Sequence, residues 1–314
     1  MSRLKMNVAA AVFTAGLVLS PMAEGIAGAK DKGAEVQNKS TVFASKKLPK
    51  ILEKVKGESK SEKVESMFGI LKVGNGKLKT VPSRGDKRPP RNPDETIAKG
   101  GDCSELGGVM VTGLKIQNID GGVSVVHFKE EKDKNTDHVV AYADVDGKRI
   151  YLDPQAEKPG EIKGEYTVVM DLSFKEAEGI HYREMGKYLY KKGKTNDAIK
   201  EFEKAVEKNP RDAYSYHMLG ILYEKKGDMK KARKHYERAL ELDPENKTYQ
   251  KNKNKTVYNT ELDSAYAALE EKDYKQAKEH FENALEAGKD FLDEKAKKEL
   301  KENIEKCEKI LGGQ

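Results

Sequence analysis

Tryptophan is missing from this 314-residue chain, and cysteine occurs only at Cys103 and Cys307. Two cysteines roughly 200 residues apart make no disulfide framework, and a bond between them is not expected. No CxxC or HExxH stretch occurs, so neither a structural nor a catalytic metal has support, and no cofactor is implied. One-sided charge is lacking too. Against 59 basic residues stand 53 acidic ones, a net +6 spread along the chain, which excludes a strongly basic nucleic-acid surface.

Charged residues make up 36% of the chain and hydrophobic ones 37%, enough for two domains with their own cores and much surface-rich helix. Residues 1–29 read as an export signal: Arg3 and Lys5 start it, Val8 to Leu19 form its apolar run, Pro21 breaks it, and Ala27-Gly28-Ala29 offers a cleavage site. The mature chain then begins near Lys30, exported to a bacterial periplasm or secreted, with no stable membrane insertion. Left uncleaved, the run would be an anchor, although a full span needs about 20 residues. Residues 30–45 have linker composition.

From Lys46 onward Leu48, Ile51, Leu52 and Val55 share one helical face, and Val64, Met67, Phe68 and Leu71 another. Residues 74–93, with Pro82, Pro89, Pro90 and Pro93, predict a basic, rigid loop without regular structure. It leads into Gly101-Asp102-Cys103-Ser104-Glu105. Asp102 is a good N-cap with Glu105 three positions on, and Leu106, Val109, Met110, Gly113, Leu114 and Gln117 recur on one face. Cys103 then sits at the first helical position, where unpaired N–H groups and the helix dipole favour a thiolate. The same pentapeptide also fits an ordinary buried cysteine beside an ordinary cap.

Strands are expected over Val123 to Phe128, His138 to Asp144, Arg149 to Leu152 and Tyr166 to Leu172. Asp146-Gly147 marks a two-residue hairpin turn, which would set Val140 opposite Asp153 and make His138 the diagonal neighbour of Asp153, roughly 7 Å away at the backbone. A slip of one residue would part them. Cys103, His138 and Asp153 are therefore candidates for nucleophile, base and orienter, with the Cys103 N–H as half of an oxyanion hole.

From Gly179 the texture turns helical and repeats. Tyr182, Gly186, Leu189, Gly193, Ala198, Phe202, Ala205 and Pro210 return 34 positions later as Tyr216, Gly220, Tyr223, Gly227, Ala232, Tyr236, Ala239 and Pro244. This spacing resembles the tetratricopeptide repeat (TPR), a helix-turn-helix unit that stacks into a solenoid. Units span 179–212, 213–246 and about 258–291, with about 11 extra residues around Lys247 to Thr256 lengthening a helix or a loop. Leu292, Ala296, Leu300, Ile304, Cys307 and Leu311 predict a capping helix over 292–311.

The runs Pro93-Asp94-Glu95-Thr96, Gly101-Asp102-Cys103-Ser104-Glu105, Asp137-His138-Val139-Val140 and Tyr151-Leu152-Asp153-Pro154 resemble the transglutaminase-like cysteine proteinase superfamily, in its bacterial branch. That resemblance implies an α+β papain-like domain over 46–172, with its core in 80–172, ahead of the all-α TPR solenoid over 179–311. It also implies Cys103, His138 and Asp153 as a catalytic triad. The expected activity is acyl chemistry on amide bonds through a thioester, with hydrolysis slightly favoured over transglutaminase transfer, and a protein or peptide partner is expected in the TPR groove. The alternative is an inactive adaptor that binds peptides and scaffolds an envelope complex.

Other residues have plainer readings. His127, His181, His217, His235 and His280 are expected as packing or surface residues, Asp102 and Glu105 as caps. Tyr214, Tyr216 and Tyr223 are expected mainly in the repeat core, with some aromatics free to line the groove.

Overall fold

The computed structural model describes residues 43–74, 76–81, 88–128, 137–162 and 165–313, all within one compact unit, Lys39–Gln314. The export signal and most of the linker lie outside the described residues.

Two helices lead in, α1 (Leu48–Leu52) and α2 (Lys60–Leu71), the second closed by a capping box between Ser59 and Glu62. Val64, Met67, Phe68 and Leu71 are all buried, as their spacing predicts, together with Leu48 and Leu52. The end of the linker is not idle. Phe43 is buried, and the Asp94 carboxylate accepts hydrogen bonds from the Ser45 hydroxyl and from the backbone N–H groups of Lys46 and Lys47.

Regular structure also invades the proline-rich stretch expected to lack it. Pro93 opens α3 (Pro93–Lys99), and Asn92 and Glu95 form a capping box there. Proline suits the first helical position because its missing N–H would have no helical partner. The helix ends at Gly100, whose φ of 81° and close approach to the Lys79 carbonyl favour glycine. Gly101 donates to the Lys79 carbonyl and accepts from the Val81 N–H, so the chain just before the cysteine is clamped to residues 79–81.

Next comes α4 (Cys103–Ile116), buried continuously from Glu105 to Leu114 rather than on one face. A helix covered all round is a central one. Gly107 abuts Val139, Gly108 abuts Phe43 and Gly113 abuts Met67, so small residues let neighbours close on several sides. Leu106, Val109, Met110 and Leu114 join α1, α2, Ala141, Ala143 and Leu152 in one core cluster.

The sheet runs β3-β2-β1-β4 and is antiparallel throughout, with β1 (Gly121–Phe128), β2 (Asp137–Val145), β3 (Lys148–Leu152) and β4 (Tyr166–Ser173). All four strands expected from sequence are present. The β2–β3 turn holds Asp146 at φ 51° and Gly147 at φ 75°, and Val145 pairs with Lys148. Two positive φ values are what a type I′ hairpin turn requires.

No loop separates sheet and repeats. Ser173 ends β4 and caps α5 (Phe174–Lys191), so helix begins five residues ahead of Gly179. Ala177 and Ile180 of α5 share a core with Val111, Val123, Val139 and Leu172, with Cys103 packed against it. The remaining helices are α6 (Thr195–Lys208), α7 (Ala213–Lys225), α8 (Met229–Leu242), α9 (Lys247–Glu270), α10 (Tyr274–Gly288) and α11 (Glu294–Gly312). The additional residues near Lys247 lengthen a helix, α9.

The 34-residue period has a steric cause. A Cβ on Gly186 would meet the Phe202 ring at 3.0 Å, and one on Gly220 the Tyr236 ring at 2.5 Å. Each aromatic thus lies against the bare backbone of its helical partner, and Ala265 and Phe281 share a core at the same separation. Cys307 is buried on α11, whereas Leu311 is 38% exposed and does not belong to the core face predicted for it.

Candidate active site

Cys103 is half-buried at the first position of α4. Asp102 and Glu105 form the capping box: the Asp102 carboxylate accepts from the Glu105 N–H at 3.2 Å, and the Glu105 carboxylate from the Asp102 N–H at 3.0 Å. The Ser104 hydroxyl donates to Asp102 at 2.8 Å.

Glu105 does more than cap. Its buried carboxylate takes a two-bond fork from the Arg88 guanidinium, at 2.6 and 2.8 Å, and the backbone N–H of Arg91 at 2.7 Å. Burial alone would raise its pKa, but these donors together hold the carboxyl below its ordinary range. Through Glu105 the loop before α3 is fastened to the start of the cysteine helix. The sequence predicts only a basic loop here, because nothing local pairs Arg88 with an acid 17 residues on.

His138 and Asp153 come together through the hairpin. Ala141 faces Leu152, and continuing that ladder places Val140 opposite Asp153. His138 Nε2 lies 3.4 Å from Asp153 Oδ2, with both side chains largely buried. Asp153 is fixed in turn by the Gln155 N–H, which donates to its other oxygen at 3.0 Å. The Phe128 ring lies 5.6 Å from the imidazole, centroid to centroid, and confines it from β1.

Burial opposes a charge on His138, but its interactions with the Asp153 carboxylate and with the Cys103 sulfur outweigh it, and its pKa is pushed up to about 9. The three predicted residues are therefore brought within electrostatic reach of one another, from a helix start, a strand and the end of the next strand. Two histidines of the repeats have partners of their own. His217 is buried among the repeats with Asn252 at 2.8 Å, and His280 pairs with Glu261.

Cys103 opens onto a cleft of about 900 Å³ whose lining includes Val125, Gln155, Val169 and Met170 from the sheet domain and Arg183, Lys187 and Tyr214 from the repeats. Tyr214, one of the aromatics expected mainly in the repeat core with some free to line the groove, is 37% exposed and lines this cleft. Among the described residues no group of three or more His, Cys, Asp or Glu could hold a metal, and no helix is long and apolar enough to cross a membrane.

Residues 183–247 match the family described as tetratricopeptide repeat. No curated protein matches the chain. Among solved structures it is similar to the crystal structure of MamA, at 21% identity over 35% of this chain and 58% of that one, with a TM-score of 0.27. The chain thus spans 58% of that protein's length. It is also similar to the Sgt2 TPR domain from Aspergillus fumigatus, at 18% identity over 43% of this chain and 80% of that one, TM-score 0.24. A third is the first TPR of Spaghetti (RPAP3) bound to an HSP90 peptide, at 15% identity over 44% of this chain and 95% of that one, TM-score 0.26. The C-terminal region is helical and TPR-like, and it follows a four-stranded sheet with helices.

Proposed function

We propose that the chain is an exported cysteine enzyme of papain-like, transglutaminase-like type that acts on amide bonds, and that its repeats bind a protein or peptide. The observation that carries this reading is the His138 Nε2 contact with Asp153 at 3.4 Å, with the Cys103 sulfur close enough to the same imidazole to favour its charged form. With Nε2 turned to Asp153, Nδ1 is the nitrogen left to serve the sulfur.

Cys103 Sγ would attack the amide carbonyl carbon while His138 holds the thiol proton. The Cys103 N–H at the helix start would steady the carbonyl oxygen as it gains charge. His138 would then give its proton to the departing amine, leaving a thioester on Cys103. Water, deprotonated by His138, would release the acid and regenerate the thiol; an amine in its place would form a new amide. Hydrolysis is favoured slightly, since no acceptor-amine site is legible.

The test is the pH dependence of iodoacetamide alkylation at Cys103, read by mass spectrometry in wild type, His138→Ala and Asp153→Ala. Near pH 6 the wild-type sulfur should react at least about tenfold faster than in His138→Ala. Equal rates in all three proteins would remove the enzymatic reading and leave the adaptor that binds peptides without turnover. Export rests on residues 1–29, and sequencing the N-terminus of protein recovered outside the cytoplasm should find a start near Lys30.

A further inference from the structure

Few large apolar side chains among the described residues stay exposed, and two of them, Val169 at 58% and Tyr214 at 37%, line the cleft that Cys103 opens onto. They come from different parts of the chain, β4 and α7. A bulge makes Val169 unusual. Val125 pairs with Met170 and Val126 with Val168, so Val169 has no partner on β1. Bulges of this kind re-aim a side chain and are frequent beside active sites. Tyr214 stands one repeat after Ile180, which is buried and lines the same cleft, so the repeat geometry itself carries an apolar strip outward from the cysteine domain.

Three cations of the repeat wall are paired within the protein. Arg183 lies 3.3 Å from Glu184 and 3.7 Å from Asp212, Lys187 pairs with Glu184 at 3.0 Å, and Arg211 with Glu176 at 2.8 Å. Beside these pairs the wall exposes apolar surface at Tyr214 and, across the cleft, at Val169, whose burial by a ligand is favourable at about 25 cal/mol per Å². A cleft of about 900 Å³ is also at the upper end of small-molecule sites. That suits a stretch of polypeptide better than a simple amide.

We infer that the substrate is a polypeptide, and that Val169 with the first two repeats forms the wall that selects an apolar side chain of it beside the amide bond presented to Cys103. This rests on the acyl-chemistry reading. The repeats then determine specificity at the reacting sulfur itself, rather than holding a partner at a distance from it.

The experiment uses the full chain and two reagent classes, iodoacetyl dipeptide amides and dipeptidyl chloromethyl ketones, each carrying leucine or asparagine next to the reactive group. The two classes extend from the sulfur in opposite directions along a substrate. In wild type, labelling of Cys103 should favour leucine over asparagine at least tenfold in one class. Val169→Ser and Tyr214→Ser should each reduce that preference to less than threefold, whereas Tyr214→Phe should keep it. No preference in either class, or a preference that survives both serine substitutions, would overturn the inference. Both positions are exposed, so the fold should tolerate the changes. General reactivity of the sulfur cancels in the ratio. A sulfur whose iodoacetamide rate ignores His138 would therefore sink the enzymatic reading while this ratio is still read, and a lost ratio would leave the His138 dependence intact.

Discussion

Arg88 and Glu105 are joined by two parallel hydrogen bonds, and the carboxylate end is almost wholly buried, with 2% of its side chain exposed. Removing one partner of such a pair is costly because the other is stranded. Arg88→Ala should destabilise the cysteine-bearing domain by about 3 kcal/mol. Arg88→Lys should recover only part of that, since an ammonium cannot reproduce the fork. Denaturant midpoints of the three proteins would decide it, and identical midpoints would show that the loop before α3 is not held through Glu105.

His138 should titrate far above an ordinary histidine. With its pKa about 9 in the fold against 6.5 for the free side chain, it holds its proton more tightly when folded. Its contribution is therefore complete below about pH 6.5 and is lost as pH rises through 9, amounting to roughly 3 kcal/mol at most. The imidazole resonances of wild-type protein should move near pH 9, and in Asp153→Asn they should move at lower pH. A midpoint near 6.5 in both proteins would contradict the arrangement.

Much of this site was legible in sequence because its parts are local. An aspartate cap with glutamate three residues on announces α4, and the Asp146-Gly147 turn settles the register that unites His138 and Asp153. What escaped depends on distance along the chain. Arg88 reaches Glu105 across a proline-rich segment, Phe128 meets His138 across the sheet, and Tyr214 arrives at the cleft of Cys103 from more than 100 residues away. The α3 helix was in principle readable, since Asn92, Pro93 and Glu95 are a helix start, but the neighbouring prolines masked it.

Two glycine-to-alanine changes should have opposite signs. At Gly220 the new methyl would press on the Tyr236 ring at 2.5 Å, and overpacking of this kind costs about 1–3 kcal/mol. Gly69 lies on the exposed side of α2 with nothing within 4 Å of the added carbon, so alanine there should stabilise by about 0.5–1 kcal/mol. Thermal melts of the two variants would check both signs. A neutral Gly220→Ala would mean that close packing of ring on backbone does not set the repeat.

His217 reverses the sign of His138. It is buried against the Tyr249 ring at 4.4 Å, its Nε2 faces the Asn252 amide at 2.8 Å, and burial lowers its pKa to about 4. Unfolded, the same imidazole takes up a proton below about pH 6.5, whereas in the fold it stays neutral until about 4. The fold is therefore penalised progressively as pH falls between those values, by roughly 3 kcal/mol at most, and gains nothing from this residue above 6.5. Urea unfolding followed at pH 7, 6, 5 and 4.5 should show stability declining across the series, and His217→Gln, which cannot take up the proton, should make the decline shallower. The substitution itself costs packing at every pH, so the comparison lies in the slopes and not in the absolute values. Parallel slopes would show that His217 is protonated without penalty inside the repeats, and so is not held neutral by burial.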